Sequence, residues 1–319
     1  MDSKNTALMI TQSAVDQLIS PSSSSPGATI TPSSSRMGSV VVISVEGALV
    51  PKDGMGLMSY EAISGAVMGA VADPTVSGIV MDFDSPGGTV AGAFDCADNI
   101  MMAARQKPVI AYVSDYATSA AYLLASQCTK IVANQTATVG SIGVISVHTD
   151  LSAMFEGAGI NHSILTAGNR KADGSPLAPL GDEARTDINQ LLESSRDMFI
   201  ESVARGRAAA GFDQSMIAKI ARASEASTMS AQDGKTMFFV DQIGTLSVAL
   251  ARAGGGDIPA TAGAGKPASD ISPVASAKMF AAHSRGERVN YKKTDVTHDS
   301  GPVASARKFA EARRNSKKF

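Results

Sequence analysis

Residues 112–126 read YVSDYATSAAYLLAS, and the fold and the candidate chemistry are both read from this stretch. The apolar residues 109–113 predict a strand, and the small and apolar residues 120–125 predict a helix that begins near Ser119. A hydroxyl at such a junction lies beside the free N–H groups of a helix N-terminus, and such donors stabilise a developing oxyanion. Ser119 is therefore a candidate nucleophile, although a serine that only caps the helix fits the same stretch when it is taken alone.

Apolar segments of strand and helix length alternate on both sides of this stretch. Strands are predicted at residues 40–49, 78–83, 108–113, 129–133, 142–147 and 161–166. Helices are predicted at residues 60–72, 91–105, 182–210 and 213–223. We expect order to begin at Val40 and the compact part to close at Val240–Ile243. The alternation predicts an α/β fold built from parallel βαβ units.

Two segments of biased composition flank this predicted domain. Residues 20–38 are rich in Ser, Pro and Gly, so we expect a flexible N-terminal segment over residues 1–38. A Gly/Ala-rich linker follows Arg252. The chain is therefore predicted to divide into that segment, a compact domain at 39–251, and a linker with a basic tail at 252–319.

The predicted tail contains an internal repeat and most of the positive charge. PVASA occurs at residues 273–277 and 302–306, and each copy continues with a basic residue and a Phe. Two short copies are too few for a solenoid, so they predict two helical peptides on a tether. Residues 251–319 carry a net charge of +7, whereas the rest of the chain carries −9. This asymmetry predicts an interaction segment at the C-terminus.

Composition excludes several classes of protein. The chain has 319 residues, of which 44% are hydrophobic and 18% charged, as in a globular α/β protein. We find neither a signal peptide at residues 1–20 nor an apolar run of membrane-spanning length, so we expect no membrane partner. Cys96 and Cys128 predict reduced, packed thiols. No metal-ligand spacing, Walker loop or dinucleotide fingerprint is present, so no metal or cofactor is expected.

Two further segments carry residue types that suit catalysis. The sequence DSPGGTV at residues 84–90 follows a predicted strand, and adjacent glycines let backbone N–H groups approach a ligand, although SPGG is also a common turn. Lys171 lies in AGNRKADGSP after the predicted strand 161–166. A loop lysine taken alone is usually a solvated surface charge.

The order and spacing of these segments resemble the signal peptide peptidase A family of serine peptidases. The resemblance covers about residues 40–246 and includes SPGG, SAAY, KIVAN, TVGSIGV, TMSAQDGKTMFFVDQIG and a lysine 52 positions after Ser119. Within that family, GGTVAGAFDCAD is most similar to capsid assembly proteases of lambda-like tailed phages. The resemblance implies a ClpP/crotonase-type fold of repeated ββα units.

The resemblance also implies the site, which is a Ser–Lys dyad. Ser119 is the nucleophile, Lys171 the general base and Ser141 the hydroxyl that orients the lysine, while the N–H groups of Gly88 and Ala120 form the oxyanion hole. Lysine acts as a base only when neutral, so burial must lower its pKa from about 10.4 towards roughly 7–8. Removing one oxyanion donor typically costs about 3–4 kcal/mol of transition-state stabilisation.

One position departs from the family pattern, which usually has Ser-Gly-Gly-Tyr where this chain has Ser119-Ala120-Ala121-Tyr122. Alanine retains the N–H, and it suits the position if φ is negative there. We expect a negative φ because Ala120 opens a helix.

Other polar residues offer alternative sites. His148 lies 29 residues after Ser119, near Asp150, so it is the alternative base of a Ser-His-Asp triad. We interpret it as a packed or rim histidine, because it ends a predicted strand and Lys171 matches the family spacing better. Asp82 and Asp84 resemble a carboxylate pair, and we interpret them as strand-end residues.

The function that the resemblance implies is processing of head or scaffold proteins during phage capsid assembly. Its implied partners are capsid scaffold, portal or coat proteins and further copies of the chain in a ring, in the host cytoplasm within the assembling prohead. The basic tail is expected to bind coat or scaffold protein, with nucleic acid as the competing partner, and a disordered tail without a partner is the alternative. A housekeeping protease of the signal peptide peptidase type and an inactive scaffold protein are the alternatives.

Overall fold

The computed structural model describes residues 8–10, 31–53 and 57–255, which form ten strands and eight helices. The strands are β1 (Leu8–Ile10), β2 (Ser34–Met37), β3 (Val40–Val50), β4 (Met58–Ser59), β5 (Gly78–Thr89), β6 (Val109–Thr118), β7 (Lys130–Ala133), β8 (Thr138–Gly140), β9 (Thr228–Ser230) and β10 (Gln242–Ile243). The helices are α1 (Tyr60–Ala72), α2 (Ala93–Ala104), α3 (Ala120–Ala125), α4 (Ser152–Gly157), α5 (Asp182–Ala209), α6 (Gln214–Ala223), α7 (Ala231–Thr236) and α8 (Leu246–Ala253).

The strands form one mixed sheet with a parallel centre. Its main order is β10-β7-β6-β5-β3-β2, in which only the β2–β3 pair is antiparallel. The first halves of β3, β5 and β6 are nearly continuous runs of buried apolar residues, as expected for parallel strands with both faces covered. This sheet confirms the α/β class predicted from the sequence.

Packing on the two faces follows the alternation of side chains along each strand. Met81 and Phe83 of β5 lie in the larger core with residues of α1, α2 and α3, whereas Val80 lies in a smaller cluster on the opposite face. That smaller cluster is closed by Ala249 and Ala253 of α8. Helix α8 was not predicted, and it extends past the domain boundary expected at residue 251.

The sheet is extended by short additional strands at the carboxyl ends of its central strands, beyond two irregularities in strand register. The β3–β5 register shifts between Glu46 and Ala48, and the β5–β6 register shifts between Phe83 and Ser85. Beyond these points β3 pairs with β4, β6 pairs with β8, and β9 joins β8 as an antiparallel neighbour. The segments SPGG and TSAAY both lie in this extension.

The structure corrects several predicted elements. Residues 142–147 and 161–166 form no strand, and the second of these segments is exposed throughout. The SPGG residues lie inside β5 rather than in a turn after it. Strand β2 pairs with β3 from Ser34 onward, so the sheet begins before Val40. The two PVASA copies and most of the predicted tail lie outside the described residues.

Candidate active site

Ser119 lies at the junction between β6 and α3, in the strand-to-helix turn predicted from the sequence. Its backbone has φ +58° and ψ −124°, a conformation that typically costs a non-glycine residue about 1–3 kcal/mol. Its N–H donates to the carbonyl of Gly140 at 2.8 Å, and its own carbonyl accepts from the N–H of Leu123 at 3.0 Å. These two bonds hold the strained turn in place.

The side chain of Ser119 makes no structural hydrogen bond with the described residues. The residue is fully buried, its Oγ has no partner, and it does not cap α3 although it occupies the N-cap position. An unpaired buried polar group typically costs about 1–3 kcal/mol. The N-cap alternative is therefore wrong for this side chain, and its hydroxyl is kept free inside the protein.

Ala120 is the first residue of α3, and its N–H has no acceptor within the helix. The positive φ at this junction belongs to Ser119 and not to Ala120. Alanine therefore fits the position where the family usually has glycine, as expected, and the backbone donor is retained.

The two glycines of SPGG are required for different reasons. Gly87 has φ +100°, a region that side chains disfavour. A Cβ on Gly88 would overlap the carbonyl oxygen of Leu49 on the adjacent strand β3. The turn is further held by Ser85, whose Oγ donates to the carbonyl of Gly47 at 2.6 Å and accepts from the N–H of Gly87 at 3.2 Å.

The strand registers bring the SPGG segment beside the Ser119 turn. Ser85 of β5 and Ala117 of β6 form the last pair between these strands, so the residues two positions further along both lie just beyond that shared strand end. Those residues are Gly87 and Ser119, each followed directly by a candidate oxyanion donor. Neighbouring strand ends are where ligands bind in parallel sheets.

Ser141 directly follows β8, the strand that pairs with the last residues of β6 before Ser119. Thr118 of β6 pairs with Gly140 of β8, and the next residues, Ser119 and Ser141, have almost the same φ of 58° and 56°. The N–H of Ser141 donates to the carbonyl of Ser227 at 3.0 Å. Four of the five site residues named from the sequence therefore lie at adjoining strand ends.

The late segment TMSAQDGKTMFFVDQIG supports this arrangement through contacts that the sequence did not reveal. Tyr122 of α3 donates its hydroxyl to the carbonyl of Phe239 at 2.9 Å. The fully buried Arg207 donates to the carbonyl of Phe238 at 3.0 Å and pairs with Asp241 at 2.9 Å. A buried arginine cannot be recognised from the spacing of one helix, because its partners lie about thirty residues away.

Lys171 is the site residue that the structure does not bring to Ser119. It lies on an exposed loop, where its N–H donates to the carbonyl of Gly168 at 3.1 Å and its ammonium has no ion pair or hydrogen bond within the described residues. The loop also exposes Ile160, Ile164 and Leu165, the last with 93% of its surface accessible. The buried pocket expected for this lysine is not formed by the described residues of the chain.

His148 lines a cavity that shares no lining residue with the Ser119 site. The cavity measures about 430 Å³, its lining includes His148, Asp150 and Arg185, and neither Ser119 nor Lys171 contributes to it. The hydroxyl and the backbone N–H of Ser152 donate to Oδ1 of Asp150 at 2.7 and 2.9 Å, and these bonds lower the pKa of the Asp150 carboxyl. No hydrogen bond joins Asp150 to His148 among the described residues, so the pair does not have the geometry of a triad there.

Asp82 and Asp84 belong to a group of carboxylates on β3, β5 and β6. Burial raises the pKa of Asp82, and the charges of Glu46 and Asp84 raise it further. Burial and the charges of Asp115 and Glu46 likewise raise the pKa of Asp84. In the described part of the chain no group of three or more His, Cys, Asp or Glu side chains is arranged to hold a metal ion.

The raised pKa of Asp82 predicts a pH-dependent change in stability. Since folding favours the protonated carboxyl, the ionised form destabilises the fold at pH 7, and this penalty disappears as the pH falls below the raised pKa. Asp82→Asn should therefore raise Tm at pH 7, with a smaller gain at pH 4. The exposed Asp115→Asn variant is the control and should gain less. Equal gains at both pH values in thermal melts of Asp82→Asn would exclude ionisation as the cause.

The part of the chain that carries most of these residues is similar to a known peptidase family. Residues 102–256, just under half of the chain, match the profile of Peptidase family S49. Over these residues the chain is similar to the S49 peptidases. The matched range contains Ser119, Ala120, Ser141 and Lys171, and it supports the ClpP/crotonase-type fold class expected from the sequence.

Individual S49 relatives include phage and plant proteins. The chain is 41% identical over 170 residues to head-tail preconnector protein GP5 of Enterobacteria phage P21, and this match covers 52% of this chain and 34% of that protein. It is 38% identical over 172 residues to capsid assembly protease C of Escherichia phage lambda, covering 52% and 39%. It is 27% identical over 173 residues to the chloroplastic serine protease SPPA of Arabidopsis thaliana, covering 54% and 25%. The chain thus spans between a quarter and two fifths of the length of these relatives.

Among the helices that the structure describes, none is both long and apolar enough to cross a bilayer.

Proposed function

We propose that this chain is a serine endopeptidase in which Ser119 and Lys171 form the catalytic dyad. The observation that carries the proposal is the state of Ser119, which is buried, strained at φ +58° and makes no hydrogen bond through its Oγ to any residue that the structure describes. A serine with a purely structural role would gain stability by capping the helix that it precedes. Nucleophilic serines instead need an unengaged hydroxyl beside backbone donors.

The proposed reaction has two steps. Ser119 Oγ attacks the carbonyl carbon of the scissile peptide while its proton passes to the neutral amine of Lys171, and the N–H groups of Gly88 and Ala120 bind the resulting oxyanion. The C–N bond then breaks and the lysine returns that proton to the leaving amine. A water molecule, deprotonated by Lys171, attacks the acyl ester and releases the acid product and free Ser119. Ser141 orients the lysine.

Lys171 requires a change of surroundings for this reaction. We propose that a second copy of the chain covers the loop around Lys171, in keeping with the homo-oligomeric ring implied by the family resemblance. The exposed apolar residues Ile160, Ile164 and Leu165 support this, since a monomer has no use for such a surface. Burial against a partner would remove water from the ammonium and favour the neutral amine.

The substrates are proposed to be head proteins of a tailed phage, cleaved in the host cytoplasm within the assembling prohead. Support comes from the names of the two phage relatives, a head-tail preconnector protein and a capsid assembly protease. The basic tail supplies the second argument, because a net charge of +7 over residues 251–319 suits an acidic protein partner in the shell.

Truncation of the tail tests this proposal. The cut is placed after Gly255, because Ala253 is buried and lies against Gly78. The truncated enzyme should hydrolyse short peptides at the normal rate but should no longer co-sediment with shells formed from co-expressed coat and scaffold proteins. The full chain with Ser119→Ala is the control, and it should enter the shells without cleaving scaffold. Normal entry of the truncated enzyme into shells would refute recruitment by the tail.

A further inference from the structure

The first strand of the chain pairs with the segment that carries the proposed oxyanion donor. Strand β1 runs antiparallel to the end of β5, with Leu8 opposite Thr89, Met9 opposite Gly88 and Ile10 opposite Gly87. On the other edge of β5, Ala48 and Leu49 of β3 pair with the same two glycines. Since a strand has only two pairing edges, β1 lies on the edge of β5 that faces β6.

That edge is free for β1 only because β6 leaves it. The last pair between β5 and β6 joins Ser85 to Ala117, and two residues later the chain turns at Ser119 into α3. Strand β1 therefore continues the sheet along the edge that β6 has left, next to the turn that holds Ser119. An extended peptide must take this place to present a carbonyl to Ser119 Oγ and to the N–H of Gly88.

We infer that the edge Gly87–Thr89 is a strand-addition site for extended peptides, and that Leu8–Ile10 of the same chain occupies it and competes with substrate. Peptides that add a strand to a sheet bind mainly through backbone hydrogen bonds, so a site of this kind accepts many sequences. Because the segment belongs to the chain itself, its binding is intramolecular and does not depend on protein concentration. The competition with substrate rests on the proposed function, whereas the pairing does not.

The sequence of the segment agrees with this role. Residues 6–11 read TALMIT, with no charge, glycine or proline to interrupt a strand. On the other side, Gly87 and Gly88 carry no side chains that would obstruct an incoming backbone.

A disulfide between the two strands tests the inference in the full-length protein. Leu8→Cys is combined with Thr89→Cys, the residue that β1 places opposite it; Gly88 is unsuitable because a Cβ there would overlap Leu49. The native Cys96 and Cys128 are buried and free, so they do not compete for the bridge. Directly opposed residues of antiparallel strands are close enough for a disulfide.

Two quantities are measured, the yield of the disulfide and the rate at which a fluorophosphonate probe labels Ser119. Oxidation should form the bridge in most molecules and lower the labelling rate about tenfold or more, and dithiothreitol should restore it. Ser34→Cys with Thr89→Cys is the control and should neither form the bridge nor lower the labelling rate, because Ser34 lies opposite Ile43, six residues before the Leu49 that pairs with Gly88. In a separate variant, Met9→Pro should raise the labelling rate, because proline cannot complete the ladder, whereas Met9→Val retains the backbone N–H and should leave the rate unchanged.

The outcomes separate this inference from the proposed function. Failure of the Leu8→Cys and Thr89→Cys pair to form a bridge, or a bridge that leaves labelling unchanged, would overturn the inference. If the bridge forms but Ser119 is labelled in no variant, reduced or oxidised, the pairing stands and the assignment of Ser119 as nucleophile fails.

Discussion

Ser119→Ala and Lys171→Ala should each abolish peptide hydrolysis, and the double variant should be no slower than either single variant. The two side chains act as one unit, so losing either should reduce kcat by about a thousandfold or more. Ser119 Oγ has no hydrogen bond to lose within the described residues, so Ser119→Ala should retain the Tm of the parent. Initial rates on a fluorogenic peptide and thermal melts of the same samples measure both effects.

Two further lysine variants sharpen this prediction. Lys171→Arg keeps the positive charge but cannot supply a neutral amine, so it should be as inactive as Lys171→Ala. Lys219→Ala removes another exposed lysine, on α6, and should be fully active. A folded Lys171→Ala variant with near-normal turnover would refute the dyad. His148, whose Nε2 is buried without a partner in the described residues, would then be the base to test.

Gly88→Ala should be the most destabilising single substitution near the site. The added methyl group would meet the carbonyl of Leu49, a backbone atom in the centre of the sheet that cannot turn aside as a side chain can. We expect a loss of about 3 kcal/mol or more in the free energy of unfolding, together with loss of activity. Thermal unfolding and the yield of soluble protein measure the effect.

Gly69→Ala is the matched control for this steric argument. Gly69 lies within α1, and a Cβ there would have no neighbour within 4 Å. Alanine is the better helix former, so this variant should be as stable as the parent or gain up to about 1 kcal/mol. If Gly88→Ala melts at the temperature of Gly69→Ala, the close approach between β3 and β5 is not a constraint on the fold.

Local sequence signals predicted the elements that depend on local chemistry. The helix expected at 60–72 is confirmed as α1, and it ends before Asp73-Pro74 as predicted. The strand-to-helix turn at Ser119 is confirmed for the same reason, since an apolar strand, a small polar turn and an apolar helix follow one another directly.

The wrong predictions concern residues whose structure depends on distant partners. Residues 161–166 have the composition of a strand, but they pair with no strand among the described residues, and Leu165 is almost fully exposed. The SPGG segment has the composition of a turn, yet it lies within β5 because β3 pairs with Gly87 and Gly88. Whether a segment finds a partner strand cannot be predicted from the sequence of that segment alone.

The placement of the candidate site residues could likewise be predicted only in part. The family resemblance singled out Gly88, Ser119 and Ser141, and the registers of β5, β6 and β8 place their segments side by side. Lys171 is exposed, as is usual for a loop lysine taken alone, whereas the resemblance implied a buried one. No local pattern indicated that Arg207 and Asp241 would hold the closing segment.

Covalent labelling of the full chain by a fluorophosphonate probe, with the modified peptide located by mass spectrometry, tests the central claim most directly. We predict a single adduct on Ser119 that forms at the parent rate in Lys219→Ala and is lost in Lys171→Ala. An adduct on a different serine, or labelling of Ser119 at an unchanged rate in Lys171→Ala, would contradict the assignment of a Ser119–Lys171 dyad.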